Sequence, residues 1–111
     1  MTGSKTFDVV TRFGTEKNCS LSVGRYADND HIAIQIWCAD GPYATLTVNL
    51  PETKKHPKNF AYVDVNNFPQ AIELIKRLKI GKLVKQFGYS GFCAYPLFAF
   101  DEDKVHDYSA R

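Results

Sequence analysis

Between His31 and Leu50 the chain alternates apolar and polar residues through two runs, with a reversal signal between them. Ile32, Ile34, Ile36 and Cys38 share one parity of HIAIQIWC, and Ala44, Leu46, Val48 and Leu50 share one parity of YATLTVNL. Successive side chains of a strand point to opposite faces, so a period of two marks a sheet with one buried face. Asp40-Gly41 lies between the runs, and Asp-Gly is a strong short-range hairpin signal. The same period fills Asn18–Gly24, where Cys19, Leu21 and Val23 face one way and Ser20 and Ser22 the other. Arg25–Asp30 (RYADND) reads as a turn, because Asp and Asn side chains compete with regular backbone pairing. Strands over 18–24, 31–38 and 43–50 are therefore expected to pair as an antiparallel meander. On that reading His31, Ala33, Gln35 and Trp37 occupy the non-core face of the middle strand.

The flanks complete an outline. Lys5–Phe13 (KTFDVVTRF) reads as a first strand ended by Gly14-Thr15. Pro51–Asn59 (PETKKHPKN) is a polar loop with two prolines and three lysines, and Phe60–Val65 is a short strand. Asn67 or Phe68 is placed to cap a helix with Pro69 in its first turn, where a missing N–H costs nothing. Ala71, Ile72, Ile75 and Leu78 make an apolar stripe at helical spacing, while Gln70, Glu73, Lys76, Arg77 and Lys79 point outward. Gly81 is the expected residue just past the helix end. Lys82–Phe87 and Cys93–Phe100 are expected to pair across Gly88–Gly91 (GYSG). Asp101–Asp103 (DED) and the segment through Arg111 read as an exposed tail. The sum is an α+β fold: an antiparallel β-meander, one α-helix packed on the sheet, and a C-terminal β-hairpin.

Size and charge exclude some roles. A chain of 111 residues is expected to be a single domain, 1–111, since halves of it would be too small to bury a core. The net charge of +2 is too small for a non-specific nucleic-acid binder and has the wrong sign for a mimic of duplex charge. Three cysteines cannot form a closed set of disulfides, which points to free thiols and a cytoplasmic setting. MTGSKTFDVV lacks the basic-then-apolar pattern of a leader, and the longest apolar run is short of a membrane span.

Candidate chemistry is sparse. Gly88-Tyr89-Ser90-Gly91-Phe92-Cys93 departs from G-x-S-x-G, because Phe92 stands where the last glycine belongs and no helix follows. A Gly-flanked turn explains it better. Cys19, Cys38 and Cys93, with His31, His56 and His106, supply zinc-ligand types but none of the local pair spacings that pre-organise a metal. Buried thiols acting as small hydrophobes are the plainer account. No cofactor is expected, a structural zinc on Cys19, Cys38 and Cys93 being the alternative. A Cys–His nucleophile pair would need a perturbed thiol, which sequence does not display. No paired-carboxylate, Walker or dinucleotide pattern occurs, so no catalytic residue is expected.

Two surface features remain. Lys76, Arg77, Lys79, Lys82 and Lys85 gather over the helix end and the following strand, either as an anion-facing patch or as solvated cations suited to the helix dipole. Tyr89, Phe92, Tyr95, Phe98 and Phe100 lie near them, although alternation buries half of any such set. Trp37, beside His31 and Gln35, is either covered by the helix or a binding anchor of the kind that dominates interfaces. Lys76, Arg77, Lys79, Lys82, Lys85 and Trp37 are the candidate partner-binding set.

Several segments carry a family likeness. Tyr43–Leu50 (YATLTVNL), Val63–Asn67 (VDVNN), Ile80-Gly81 and Ser90-Gly91-Phe92-Cys93-x-Tyr95-Pro96-Leu97 resemble a family of small proteins carried by phages and integrative conjugative elements of Gram-positive bacteria. The likeness covers about Asp40 to Asp101, leaving the N-terminal third undiagnostic. It implies a setting, with no catalytic residues to carry over. Small single-domain proteins of such elements often disable host defence, and some are anti-CRISPR proteins. The resemblance thus implies an inhibitor that docks on a type II CRISPR effector nuclease inside the host cell. The alternatives are a nucleic-acid-binding accessory protein and a small Cys-dependent enzyme.

Overall fold

The computed structural model describes residues 5–109, so the end of the expected tail, 110–111, lies outside the described residues. β1 (Phe7–Thr11), β2 (Gly14–Arg25), β3 (Ile32–Cys38) and β4 (Gly41–Thr45) form one antiparallel four-stranded sheet in that order. β5 (Thr47–Val48), β6 (Phe60–Val63), β7 (Gly81–Ser90) and β8 (Cys93–Phe100) form a second, in spatial order β5-β6-β8-β7. Helix α1 (Ala71–Leu78) follows β6, and α2 (Glu102–Asp107) follows β8. The α+β class and the antiparallel meander hold. The expectation of one sheet with one helix does not, since there are two sheets and a second helix.

The sheets separate at Leu46. Its N–H donates to Ile34 O in the first sheet (2.9 Å), while its carbonyl accepts from Asp64 N beside the second (3.0 Å). Leu46 and Thr47 are both buried, so the strict alternation expected over 43–50 breaks at this point. Ala44 and Leu46 join the main core, whereas Val48 and Leu50 join a second cluster with Tyr62 and Leu97. A strand that changes partner mid-run has to turn its side chains, because a one-residue slip exchanges the faces.

The main core lies between the sheets and α1. Leu21, Ile34 and Ile36 meet Leu74 and Ile75 of the helix and Phe98 and Phe100 of β8. Burying a side chain of this size contributes about 1.5–3 kcal/mol. The helix stripe is Ala71, Leu74, Ile75 and Leu78; Leu74 replaces Ile72, which is only half-buried. No side chain caps the helix start at Gln70. Asp64 instead organises the entry, accepting from Asn67 N (3.3 Å) and Asn67 Nδ2 (3.0 Å). At the other end Lys79, not Gly81, takes the left-handed conformation (φ 58°). Ile80 N then donates back to Ile75 O (3.3 Å), the closing bond of a Schellman end.

The supposed tail is structural. Asp101 accepts from Lys104 N through its side chain (3.3 Å), Val105 is fully buried, and Leu21 N donates to Tyr108 O (2.8 Å). Asp101 thereby caps α2, and residues 105–109 dock along β2 where β1 has left it. Glu102 pairs with Arg25 of β2. The final hairpin also runs further than expected: β7 continues to Ser90, which pairs with Cys93, leaving Gly91 and Phe92 as the turn. Gly91 has φ +60°, suited to a II′ turn with glycine at its first central position.

Candidate functional site

The lysines of α1 and β7 fall into two groups. Lys76 and Lys79 of the helix end, Lys82 of β7 and Lys104 of α2 rim a groove of about 490 Å³. Gly81, Ala99 and Phe100 also line it. Lys104 was not among the expected residues, because its place depends on the docking of α2. None of these four ammonium groups forms an ion pair among the described residues. Lys85 stands outside the groove, at an irregularity in β7 between Val84 and Phe87. Arg77 is occupied elsewhere: it donates to Asp8 O (2.5 Å) and sits 3.5 Å from Glu73. It fastens β1 to α1 and takes no part in the groove.

Beside the groove runs the open edge of the second sheet. β7 is its last strand. Leu83, Phe87 and Tyr89 stand opposite Phe98, Pro96 and Ala94 of β8, all on the face to which Phe98 belongs. Their exposures are 46%, 54% and 66%, and Phe92 at the hairpin tip is fully exposed. The opposite face of the same hairpin is packed: Gly88 lies against Leu50 and Tyr62, close enough that any side chain there would collide. One face therefore anchors the arm and the other presents apolar side chains to solvent. Apolar patches rimmed by charge mark interaction surfaces.

The remaining candidates disperse. Trp37 lies half-buried on the solvent side of β3, opposite Ser20, with Nε1 donating to Gln35 Oε1 (3.4 Å). It belongs to the other sheet and to neither the groove nor the β7 edge. His31, expected on that open face, is fully buried. Its ring nitrogens lie 3.2 Å from Asn29 O and 2.8 Å from His56 O, so it ties the 26–31 turn to the 51–59 loop. Cys19 and Cys38 meet at the end of the β2–β3 ladder, where the register places them opposite one another. Burial first, and then the Cys38 thiol beside it, push Cys19 up from 9.0 to about 12. A thiol so raised is a poor nucleophile. Cys93 sits on the far hairpin beside Tyr95, whose phenol is raised by burial and then by that thiol. The three cysteines thus do not converge, and no cluster of three or more His, Cys, Asp or Glu suited to a metal occurs among the described residues. No described helix is long and apolar enough to cross a membrane.

A second cleft, of about 870 Å³, opens between the β1–β2 hairpin and the turn before α1. Arg12, Phe13, Glu16, Tyr43 and Gln70 are among its lining residues. It offers the Glu16 carboxylate, the Tyr43 phenol, raised by burial and then by that carboxylate, and the Arg12 guanidinium, 4.9 Å from the Phe13 ring.

Fold and surface define a small α+β protein with an exposed apolar sheet edge, bordered by lysines that form no ion pair among the described residues. The chain belongs to the family described as domain of unknown function DUF4313, which matches residues 20–111. No curated protein and no solved structure matches it. The groove and the β7 edge lie wholly inside the family region. One wall of the larger cleft, at 11–16, precedes it.

Proposed function

We propose that this protein works by covering a partner's surface, and that the partner is the one its mobile-element likeness suggests. On this reading it is an anti-CRISPR-like protein that docks on a type II RNA-guided effector nuclease in the bacterial cytoplasm and blocks it without chemistry of its own. The observation that carries the docking reading is the arm of β7 and β8. Its inner face is locked to the body by Leu50 and Tyr62, while Leu83, Phe87, Tyr89 and Phe92 face outward beside the lysine groove. Rigidly held aromatic anchors ringed by charge are what protein interfaces use for affinity and steering.

The test is retention of the purified effector–guide complex on the immobilised chain, together with target cleavage in its presence. Stable retention and loss of cleavage are expected, both weakened by Phe87→Ser with Phe92→Ser. Neither retention nor any change in cleavage would refute the effector as partner. Steeply salt-dependent binding to free nucleic acid, abolished by Lys76→Glu with Lys79→Glu, would favour the accessory-protein alternative instead.

A further inference from the structure

The backbone of the β7 edge is as available as its side chains. Phe100 N donates to Asn59 O (2.9 Å), so Phe100 turns its main-chain groups towards β6. In an antiparallel ladder both main-chain groups of a residue point to one side, and the side alternates along the strand. Ala99, Leu97, Tyr95 and Cys93 therefore face β7 and bond Lys82, Val84, Gly88 and Ser90, their partners in register. Leu83, Phe87 and Tyr89, opposite Phe98, Pro96 and Ala94, turn their N–H and C=O groups outward. Pro96, which has no N–H to donate, falls at a position where the β7 ladder needs none. No turn, loop or side-chain hydrogen bond among the described residues engages the backbone of Leu83, Phe87 or Tyr89. The same three residues thus present both an exposed apolar side chain and unclaimed backbone groups.

Resting on the docking reading, we infer that β7 receives an added strand: an extended, acidic segment of the partner pairs with the outward backbone of Leu83, Phe87 and Tyr89. Strand addition draws affinity from main-chain bonds and specificity from alternate side chains. Charge selects the occupant. A second copy of β7 would bring Lys82 and Lys85 of both chains onto one short seam, and like charges across a sheet are destabilising. The irregularity at Lys85-Gln86 would interrupt that seam as well. Lysine on an edge is a common guard against self-pairing, and here the guard becomes a filter: a strand carrying Asp or Glu meets Lys82, Lys85 and the groove lysines with opposite sign.

The probe is a displayed library of random linear peptides panned against the full chain. Enriched peptides should alternate apolar with acidic residues. Their binding should slow amide exchange at Leu83, Phe87 and Tyr89. Phe87→Pro removes an outward N–H without touching the ladder, and should lower affinity about tenfold or more while Phe87→Ala, which keeps the N–H, costs less. Should the proline variant misfold, as seen by circular dichroism, the exchange map decides alone. No enrichment, enrichment without acidic bias, or protection away from β7 overturns strand addition. Effector retention alongside such a failure leaves docking intact and removes only its mode. Peptide binding without effector retention removes the effector and keeps the edge.

Discussion

Gly88→Ala tests whether the β7–β8 arm is held as described. A Cβ at that position would stand 2.7 Å from Leu50 Cδ1, 2.8 Å from Tyr62 Cε1 and 3.0 Å from Tyr62 Cζ, where carbon contacts normally sit at about 3.5–4.0 Å. Gly88 is not among the positive-φ residues, so alanine introduces no backbone strain and even gains roughly 0.4–1 kcal/mol through the unfolded chain. Leu50 can rotate its terminal methyl. Tyr62 cannot yield as easily: its hydroxyl lies 3.2 Å from His56 Nε2 and its ring meets the imidazole edge-on at 6.0 Å. Overpacking of this kind costs about 1–3 kcal/mol, leaving a net loss of roughly 1–2 kcal/mol after the entropic gain. Thermal unfolding followed by circular dichroism should show Tm lowered by roughly 4–8 °C. Leu50→Ala removes the nearest contact and gives the Tyr62 ring room to shift, so in the double variant Gly88→Ala should cost about half as much, a coupling of roughly 0.5–1 kcal/mol. A neutral or stabilising Gly88→Ala with additive double-variant energetics would refute the packing of the arm, and with it the rigid presentation of the apolar edge.

Other expectations follow from single contacts. Lys79→Gly relieves a left-handed residue and should stabilise by about 1 kcal/mol, yet weaken effector retention by removing a groove cation; urea unfolding and the retention assay measure the two effects. Arg77→Ala should cost about 1 kcal/mol by freeing the Asp8 carbonyl, and should leave retention unchanged. Asp64→Ala should cost roughly 1–2 kcal/mol, since it removes both bonds that shape the entry to α1. For Cys19, raised from 9.0 to about 12, the folded thiol keeps its proton where the unfolded one loses it. Stability is therefore intact below about pH 9 and falls as pH rises towards 12. Tyr26 and Tyr62, both raised by burial, add to the same trend, which urea titrations at neutral pH and about pH 10 will read. Iodoacetamide on the folded chain should label Cys93 and spare Cys19, as peptide mass mapping will show.

Much of this architecture was legible in the residues. Alternation at Ile32–Cys38 and Cys19–Val23 located the meander, and the stripe through Ala71, Ile75 and Leu78 located α1. What escaped depends on contacts distant in sequence. Leu46 reads as one more apolar position of a regular strand; only Ile34 and Asp64, one on each side, show it passing between sheets. His31 follows the open-face parity of β3 but is closed over by the 51–59 loop, through His56 O. The capping pattern of Asp101 and Lys104 was present in the sequence, and the run of acids around it disguised a helix start as a tail. Gly81 looked like a helix stop, but Lys79 performs that role. Gly81 is small because Phe100 Cδ1 and Ile75 Cγ2 lie 3.2 and 3.4 Å from where its Cβ would stand. Of the binding set, Lys76, Lys79 and Lys82 do share a groove, whereas Arg77 reaches the distant Asp8 carbonyl and Trp37 stands on the other sheet.

Amide hydrogen exchange of the whole chain, free and in the presence of the effector–guide complex, bears most directly on the account. Slowed exchange concentrated over Gly81–Ser90, strongest at Leu83, Phe87 and Tyr89, is the predicted result. Protection confined to the Trp37 face of β3 or to the 11–16 cleft, or no protection anywhere, would contradict it.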